Sequence, residues 1–184
     1  MRKIAYSGIF ALAVIGSAHA AENPALGEWR VEDGVATVKI VECNSRLWGV
    51  VASEVTPGGL DRMNPDPAKR SRPTLGIPVL INMKKVTDER DKWQGMIYNA
   101  KDGRSYEASV QVKSPNALIV EGCVLSILCG GQTWTRVADK NGSSAAVTGS
   151  SPSAMKPQPP KPGQKPAAPV TDVCLLPEIA GAPH

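Results

Sequence analysis

The chain has 184 residues and a formal net charge of +4, which is too small to indicate binding to nucleic acid or to an anionic membrane. Its two histidines are His19, near the N-terminus, and His184, the last residue. Residues 20–183 therefore contain no histidine, which excludes Ser-His-Asp and Cys-His catalysis and zinc sites that use imidazole within them.

Residues 1–20 are typical of a secretory signal peptide. Arg2 and Lys3 form a charged start, Ile9 to Ile15 is a short apolar stretch, and Ala18 to Ala20 supply the small-residue cleavage pattern. The apolar stretch is too short for stable insertion in a membrane. We therefore expect cleavage near Ala20 and an exported protein, periplasmic or secreted, with a net charge of +2 (19 basic and 17 acidic residues).

Two short tryptophan motifs come first and last among the predicted strands. The first is Gly27-Glu28-Trp29, and the second is Trp134-Thr135-Arg136. If the first and last strands meet, the Arg136 guanidinium can cover a tryptophan face where a barrel closes. We assign a structural role in barrel closure to Gly27, Trp29, Trp134 and Arg136.

Between these motifs the chain alternates apolar and polar residues in short runs. The clearest example is Arg104 to Val112, in which Tyr106, Ala108 and Val110 share one face. Turn residues separate the runs and no long helical period is present. The pattern predicts an all-β fold over 21–138, a small antiparallel β-barrel, with strands over 34–43, 47–55, 92–98, 104–112, 117–123 and 131–137.

Four cysteines in an exported chain predict two disulfides, with three pairings open. Cys123 and Cys129 flank a predicted hairpin turn, which favours a bridge between them. Cys43 with Cys174 follows by elimination and would tie the end of the chain to the barrel. Metal binding is the alternative, but no C-x-x-C pair exists, so we predict no metal and no cofactor.

Composition changes near residue 138. Residues 139–184 hold nine of the sixteen prolines and no aromatic residue. Such a segment buries too little apolar surface to fold, so we expect a disordered Pro/Ala/Lys-rich tail. The alternative is a semi-rigid arm that reaches a partner in the cell envelope.

The ordered set of motifs resembles the bacterial exported domain-of-unknown-function family 2147. The resemblance covers residues 25–138 and rests on Gly27-x-Trp29, Val41-Glu42-Cys43, Asp61, Asn64-Pro65-Asp66-Pro67, Arg70-Ser71-Arg72-Pro73, Gly76, Trp93-Gln94-Gly95-x-Ile97-Tyr98, Asp102-Gly103-x-x-Tyr106, Val120-Glu121-Gly122-Cys123 and Gly131-Gln132-Thr133-Trp134-Thr135-Arg136. It implies a lipocalin-like barrel and an exported location, and it implies no reaction. Trp48 departs from the pattern, since many members carry a cysteine there.

The stretch Asp61 to Arg72 is the first candidate site. Arg70 and Arg72 are suited to hold a carboxylate or phosphate at a barrel mouth, with Asp61 and Asn64 nearby. The alternative, which we favour, is that Asp61 and Asp66 pair with the arginines and fix the loop. Calcium binding by Asp61, Asn64 and Asp66 is disfavoured by the surrounding prolines.

The barrel interior is the second candidate site, for a small amphipathic or hydrophobic molecule. Four aromatic residues could line it: Trp48, Trp93, Tyr98 and Tyr106. The alternative is that these side chains fill the core. No catalytic residue is predicted, because nothing in the spacing brings Glu54, Asp61 and Glu107 together. We expect a non-enzymatic binding protein or, as the alternative, an envelope interaction module that uses the tail. Oligomeric state is open.

Overall fold

The computed structural model describes residues 23–124, 127–138 and 172–182, and within them eight antiparallel strands close into one barrel in chain order. The strands are β1 (Gly27–Arg30), β2 (Ala36–Cys43), β3 (Arg46–Glu54), β4 (Pro78–Lys85), β5 (Lys92–Asn99), β6 (Arg104–Ser114), β7 (Ala117–Val124) and β8 (Leu128–Arg136). The predicted all-β fold, a small antiparallel barrel, is confirmed. The strand β4 is an addition to the predicted set.

Because every connection joins antiparallel neighbours, the loops fall at two ends of the barrel. The β2–β3, β4–β5 and β6–β7 turns lie at one end, which we call the closed end. The β1–β2, β3–β4, β5–β6 and β7–β8 connections lie at the other, which we call the mouth. The β3–β4 connection is the longest of the seven, and it carries a 3-10 turn at Pro67–Lys69.

The interior is filled by one apolar cluster. Its large members Trp29, Leu80, Met83 and Trp93 are almost fully buried, and it continues through inward positions of the other strands: Val38, Ile40, Leu47, Val110, Leu118, Val120 and Trp134. Burial of this surface is the main source of stability in such a domain. Trp93, expected to line a ligand pocket, is a core residue, because its strand begins at the closed end.

The barrel closes through a short seam. Only Trp29 with Arg136 and Arg30 with Thr135 are in register between β1 and β8. The Arg136 guanidinium carbon lies 4.1 Å from the centre of the Trp29 ring. Its nitrogens also donate to three carbonyl oxygens, those of Pro24, Leu26 and Pro115 at 2.6, 2.7 and 2.6 Å. The stacking expected from the two tryptophan motifs is therefore present, and it involves Trp29.

Gly27 explains why a glycine precedes the first tryptophan. Its φ is +117°, in the region that favours glycine. A Cβ at this position would also lie 2.6 Å from Nη1 of Arg136. The seam therefore depends on the missing side chain as well as on the guanidinium.

Residues 172–182, which we call the C-terminal strap, pack on the outside of the barrel. The strap contains a 3-10 turn (Val173–Leu175) and a short helix α1 (Pro177–Ala180). Its Val173 and Ile179 are buried against Trp48 and Val50 of β3. The expectation of an unstructured tail over 139–184 is corrected for this part, because the strap has an apolar face of its own.

Trp48 is the second correction among the aromatic residues. It was expected to line an interior pocket, but it lies next to Leu47, which faces the core, and therefore points outwards. Only 3% of its surface is exposed, because the strap covers it. Its role is to hold the strap.

Both predicted disulfides are present. Cys43–Cys174 joins the end of β2 to the strap across 131 residues of sequence, and Cys123–Cys129 links a register pair of β7 and β8. Within the described residues, no helix is long and apolar enough to span a membrane. The predicted signal peptide and the stretch 139–171 lie outside the described residues.

Replacing Arg136 by Ala is expected to lower the free energy of unfolding by about 2–4 kcal/mol. The change removes a guanidinium–tryptophan stack and three charge-assisted hydrogen bonds at once. Urea unfolding measures it. Arg136→Lys is the matched control, since it keeps the charge without the planar fork, and it should recover a minor part of the loss. Equal stability of Arg136→Ala and the parent would contradict the role of the seam.

The two disulfides should differ in their effect on stability. In the chain-entropy account, removing Cys43–Cys174 with paired alanines costs about 5 kcal/mol, against about 2 kcal/mol for Cys123–Cys129. The difference follows from the lengths of the two closed loops. Urea unfolding of the two double variants measures it, and an equal or reversed order would contradict this assignment.

Candidate functional site

The β3–β4 connection folds over one side of the mouth as a compact loop. Its two sides meet at a bridge between Leu60 and Pro73, and the Asp61 amide donates to the Arg72 carbonyl at 3.0 Å. Asp66 caps the 3-10 turn by accepting from the Ala68 amide at 3.0 Å. The prolines and this cap give the loop a fixed shape.

The Asp61 carboxylate anchors the loop to the barrel. It has no exposed surface, and it accepts hydrogen bonds from the Tyr98 hydroxyl at 2.6 Å, Asn64 Nδ2 at 2.7 Å and Arg72 Nε at 3.0 Å. Tyr98 belongs to β5, whereas the other two donors belong to the loop. The carboxylate therefore joins the loop to the wall of the barrel.

The environment of Asp61 shifts two pKa values in opposite directions. Burial by itself raises the pKa of Asp61, but the three hydrogen bonds and the Arg72 charge outweigh it and hold that pKa below the usual value. Burial, followed by the bond to the Asp61 carboxylate, raises the pKa of Tyr98 to about 12. Asp61 is consequently ionised and Tyr98 neutral around pH 7.

The two arginines expected to receive an anion make contacts within the protein. Arg72 bridges Asp61 and Glu178 of the strap, with Nη1 to Oε1 at 2.7 Å. Arg70 Nε donates to the Asn64 carbonyl at 2.8 Å. Of the two internal pairings expected, Asp61 does pair with Arg72. Asp66 instead caps the 3-10 turn and pairs with neither arginine.

A cavity opens beside this loop, inside the mouth. It has two lobes, of about 280 and 470 Å³, which share Ile97, Tyr98, Asn99, Lys101 and Gln132. The smaller lobe reaches the core and has an apolar floor of Val38, Ile97 and Trp134. The larger lobe lies against β6, β7 and β8 and includes Tyr106 and Val120. Together they form the mouth cavity.

Glycines create the larger lobe. Gly122 and Gly130 are a register pair of β7 and β8 and both line it. A Cβ at Gly130 would meet no atom within 4 Å, and one at Gly122 would touch only Ile97, at 3.5 Å. The space that side chains fill at the closed end is therefore left open at the mouth.

The rim of the mouth cavity is polar. The Tyr106 hydroxyl donates to Asp102 Oδ2 at 2.6 Å, which lowers the pKa of Asp102 and raises that of Tyr106. Lys101 lies 3.8 Å from Asp33 of the β1–β2 connection. Charges of both signs and a phenol thus surround an apolar floor.

Two further depressions lie outside the barrel, each larger than either lobe of the mouth cavity. One of about 740 Å³ is at the closed end, and one of about 570 Å³ is on the outer face of β4 to β7. Both have walls rich in charged or polar side chains, such as Arg90 and Asp91 in the first and Lys84 and Glu107 in the second. The mouth cavity is a better candidate site than these two because its floor is made of residues of the apolar core.

The structure separates the predicted site residues into three places. Tyr98 and Tyr106 line the mouth cavity, Asp61, Asn64, Arg70 and Arg72 hold the loop beside it, and Trp93 lies in the core. Glu54 contacts Thr74 near the mouth, whereas Glu107 lies on the outer face, so the three carboxylates weighed for catalysis do not share a site. Among the described residues, no group of three potential metal ligands is present.

Sequence reasoning missed Gly122, Gly130 and Gln132 as lining residues. The available signal was glycine at inward positions of two alternating strands, next to residues already assigned to the core. Such a position places no side chain where a neighbouring strand places a large one.

The barrel corresponds to a known family of bacterial proteins. Residues 27–136 match the family described as an uncharacterized protein conserved in bacteria, DUF2147. The chain belongs to this family. The match begins and ends at the seam, so DUF2147 corresponds to the barrel and does not include the strap. A comparison with curated proteins found no match.

A solved structure from Helicobacter pylori, protein HP1028, is described as belonging to the lipocalin family. It is similar over 62% of this chain and 84% of that chain, with 23% sequence identity and a TM-score of 0.57. At this identity the similarity establishes the fold of the DUF2147 barrel and nothing about its ligand.

Replacing Tyr98 by Phe is expected to lower the free energy of unfolding by about 1–3 kcal/mol, since it removes a donor from a buried carboxylate. Tyr106→Phe is the matched control. Its hydroxyl meets Asp102 at the same 2.6 Å but in a more exposed place, so a clearly smaller loss is expected. Thermal and urea unfolding of both variants check this, and equal losses would contradict the anchoring role of Asp61.

Proposed function

We propose that the protein is exported and binds a small amphipathic molecule in the mouth cavity. The observation that carries the proposal is an apolar floor, with Val38 and Trp134, beneath a polar rim. An amphipathic molecule would place its apolar part on the floor and its polar group at the rim. The lipocalin-like fold supports the proposal, since barrels of this size can hold one small ligand.

The size of the cavity fits this class of ligand. The lobes of about 280 and 470 Å³ share five lining residues and are therefore adjacent. Pockets that bind small molecules are typically about 300–1,000 Å³. A molecule that enters the larger lobe can extend its apolar part between Ile97 and Trp134 towards the core.

The rim favours hydrogen bonding over capture of a strongly charged group. Lys101 is paired with Asp33, and the side-chain oxygen Oε1 of Gln132 accepts from Trp134 Nε1 at 3.1 Å. Tyr106 and Asn99 add further polar groups at the entrance. A hydroxyl or an amide would find hydrogen-bond partners here without leaving a buried charge unpaired.

Apolar side chains surround the entrance as well. In the described part of the chain, seven of the eight large hydrophobic residues that are exposed lie on the mouth connections or beside them: Val35, Val55, Leu60, Met63, Val124, Ile127 and Leu128. Clusters of exposed apolar residues commonly mark surfaces that bind other apolar groups. They would assist entry of a poorly soluble ligand.

Export is supported by the two disulfides, which persist in oxidising compartments. It is also supported by the charged, apolar and small-residue order of residues 1–20. The second hypothesis, an envelope partner bound by the tail predicted over 139–184, stays a prediction, since residues 139–171 lie outside the described residues.

Filling the larger lobe should abolish binding. Native mass spectrometry of protein purified from its own compartment, and titration with the dye 8-anilinonaphthalene-1-sulfonate, measure binding by the parent chain. Gly122→Leu places an isobutyl group in the lobe and is expected to lower dye affinity at least about tenfold. Glu121→Leu is the matched control, because it adds the same side chain to the outer face of β7.

Two outcomes would contradict the proposal. One is a parent protein that carries no molecule and takes up no dye. The other is equal dye affinity in the parent and Gly122→Leu, with the fold of both verified by circular dichroism. Equal loss in Gly122→Leu and Glu121→Leu would place the dye on the outer face.

A further inference from the structure

The edge of β8 near the mouth has a strand partner on one side only. Residues Leu128 to Gln132 pair with β7, but register with β1 begins later, at Thr135. β1 is four residues long and ends at Arg30, whereas β8 is nine residues long. Within the described part of the chain, no strand covers the other edge of Leu128–Gln132, which we call the free edge.

The direction of the backbone groups on the free edge follows from their neighbours. The amide of Val137 donates to the Glu28 carbonyl of β1 at 2.8 Å, and the amide of Thr133 donates to Glu32 Oε2 at 2.6 Å. Alternation in a strand then directs the amides and carbonyls of Gly131 and Cys129 to the same side. Two successive pairs of ladder groups are thus presented outwards.

The free edge lacks the features by which β-proteins prevent strand pairing. The sequence Leu128-Cys129-Gly130-Gly131-Gln132 has no charge and no proline, and its ladder with β7 is regular, without a bulge. Ile127 and Leu128 beside it are 78% and 68% exposed. An uncharged, regular edge with exposed apolar side chains is a template for another strand.

We propose that a second copy of this chain pairs with the free edge, antiparallel, about a twofold axis at Gly130. In this register Cys129 of each copy lies opposite Gly131 of the other, and their outward amides and carbonyls satisfy one another. Leu128 lies opposite Gln132. No charged residue meets its own copy, because the segment is neutral throughout.

Self-pairing suits this edge because its residues are uncharged, so that two copies meet without like-charge repulsion. The same alternating groups occur at equal distances on each side of Gly130, so two identical copies match in length and in hydrogen-bonding pattern. The two glycines offer no side chain to obstruct the approach. The interface is small, since five residues per copy are far fewer than in a standard interface, and we expect a dissociation constant of about 10–100 µM.

Sedimentation velocity on the mature chain, with both disulfides intact, tests the proposal between about 1 and 500 µM. A monomer–dimer equilibrium is expected for the parent. Gly131→Lys places a cation on the free edge and should weaken the dimer at least about tenfold. The fold should tolerate it, as a Cβ there meets only Val120 O at 3.8 Å and Glu121 Cβ at 4.0 Å.

Ser109→Lys is the matched control. It places the same cation on β6, which is paired on both sides, with Gln94 and Glu121 opposite. Its dimer should be as tight as that of the parent. A parent that stays monomeric throughout the range overturns the proposal, and so does a Gly131→Lys variant that dimerises as the parent does.

A cross-link tests the register without relying on affinity. Opposed Gly130 residues form a pair without ladder hydrogen bonds, whose Cα atoms lie about 4.5 Å apart, within the range for a disulfide. Under mild oxidation Gly130→Cys should form a covalent dimer, and peptide mapping should find the two introduced thiols joined. Ser109→Cys should not. Equal cross-linking of the two variants would overturn the register. These readouts need no ligand, so they are independent of binding in the mouth cavity.

Discussion

The arrangement of the mouth depends on the buried carboxylate of Asp61. Through Tyr98 it contacts β5, through Asn64 and Arg72 it holds the long β3–β4 connection, and through Arg72 it reaches Glu178 of the strap. Three parts of the chain that are distant in sequence therefore meet around one charge. The connection stays beside the cavity because the carboxylate has no other place to satisfy its hydrogen bonds.

The energetics of this cluster explain why it is an anchor. Burying an ionised carboxylate is costly unless donors surround it, and here three donors lower the pKa of Asp61 despite the burial. Removing one donor leaves part of that cost uncompensated. Because the pKa is lowered on folding, the contribution of Asp61 to stability is present above the ordinary pKa of aspartate and is lost as the pH falls through the lowered value.

The barrel could be predicted from sequence because its signals are local. Alternation in β5 to β7, turn residues between strands and the two tryptophan motifs identified the strands and the seam. The strand β4 escaped because Asn82, with a φ of +52° at an irregularity in the ladder, interrupts the alternation. The strap was not predicted because its apolar residues, Val173 and Ile179, follow a long proline-rich stretch and are too few to indicate a helix.

The candidate site was harder to predict because part of it is space left open by residues without side chains, Gly122 and Gly130. Charged residues of the β3–β4 connection suggested an anion site, but Asp61 and Arg72 form an ion pair, and spacing in sequence cannot reveal which pairs form. Aromatic residues suggested a cavity lining, but whether an inward residue fills or lines depends on its height along the barrel. Trp93 lies near the closed end and fills the core, whereas Tyr106 lies near the mouth and lines the cavity.

The two ends of the barrel differ in the same way: side chains fill the interior at the closed end and line a cavity at the mouth. At the closed end Trp29 and Trp93 are buried in the core, and Arg136 stacks on Trp29 where the sheet closes through its seam. Towards the mouth, Gly122 and Gly130 leave space inside, and β8 extends beyond its partner. An open interior and an unpaired edge both arise because β1 is short and the glycines follow one another across β7 and β8. The tryptophan core and the seam therefore lie at one end of the barrel, and the proposed ligand site and the proposed strand pairing both belong to the other.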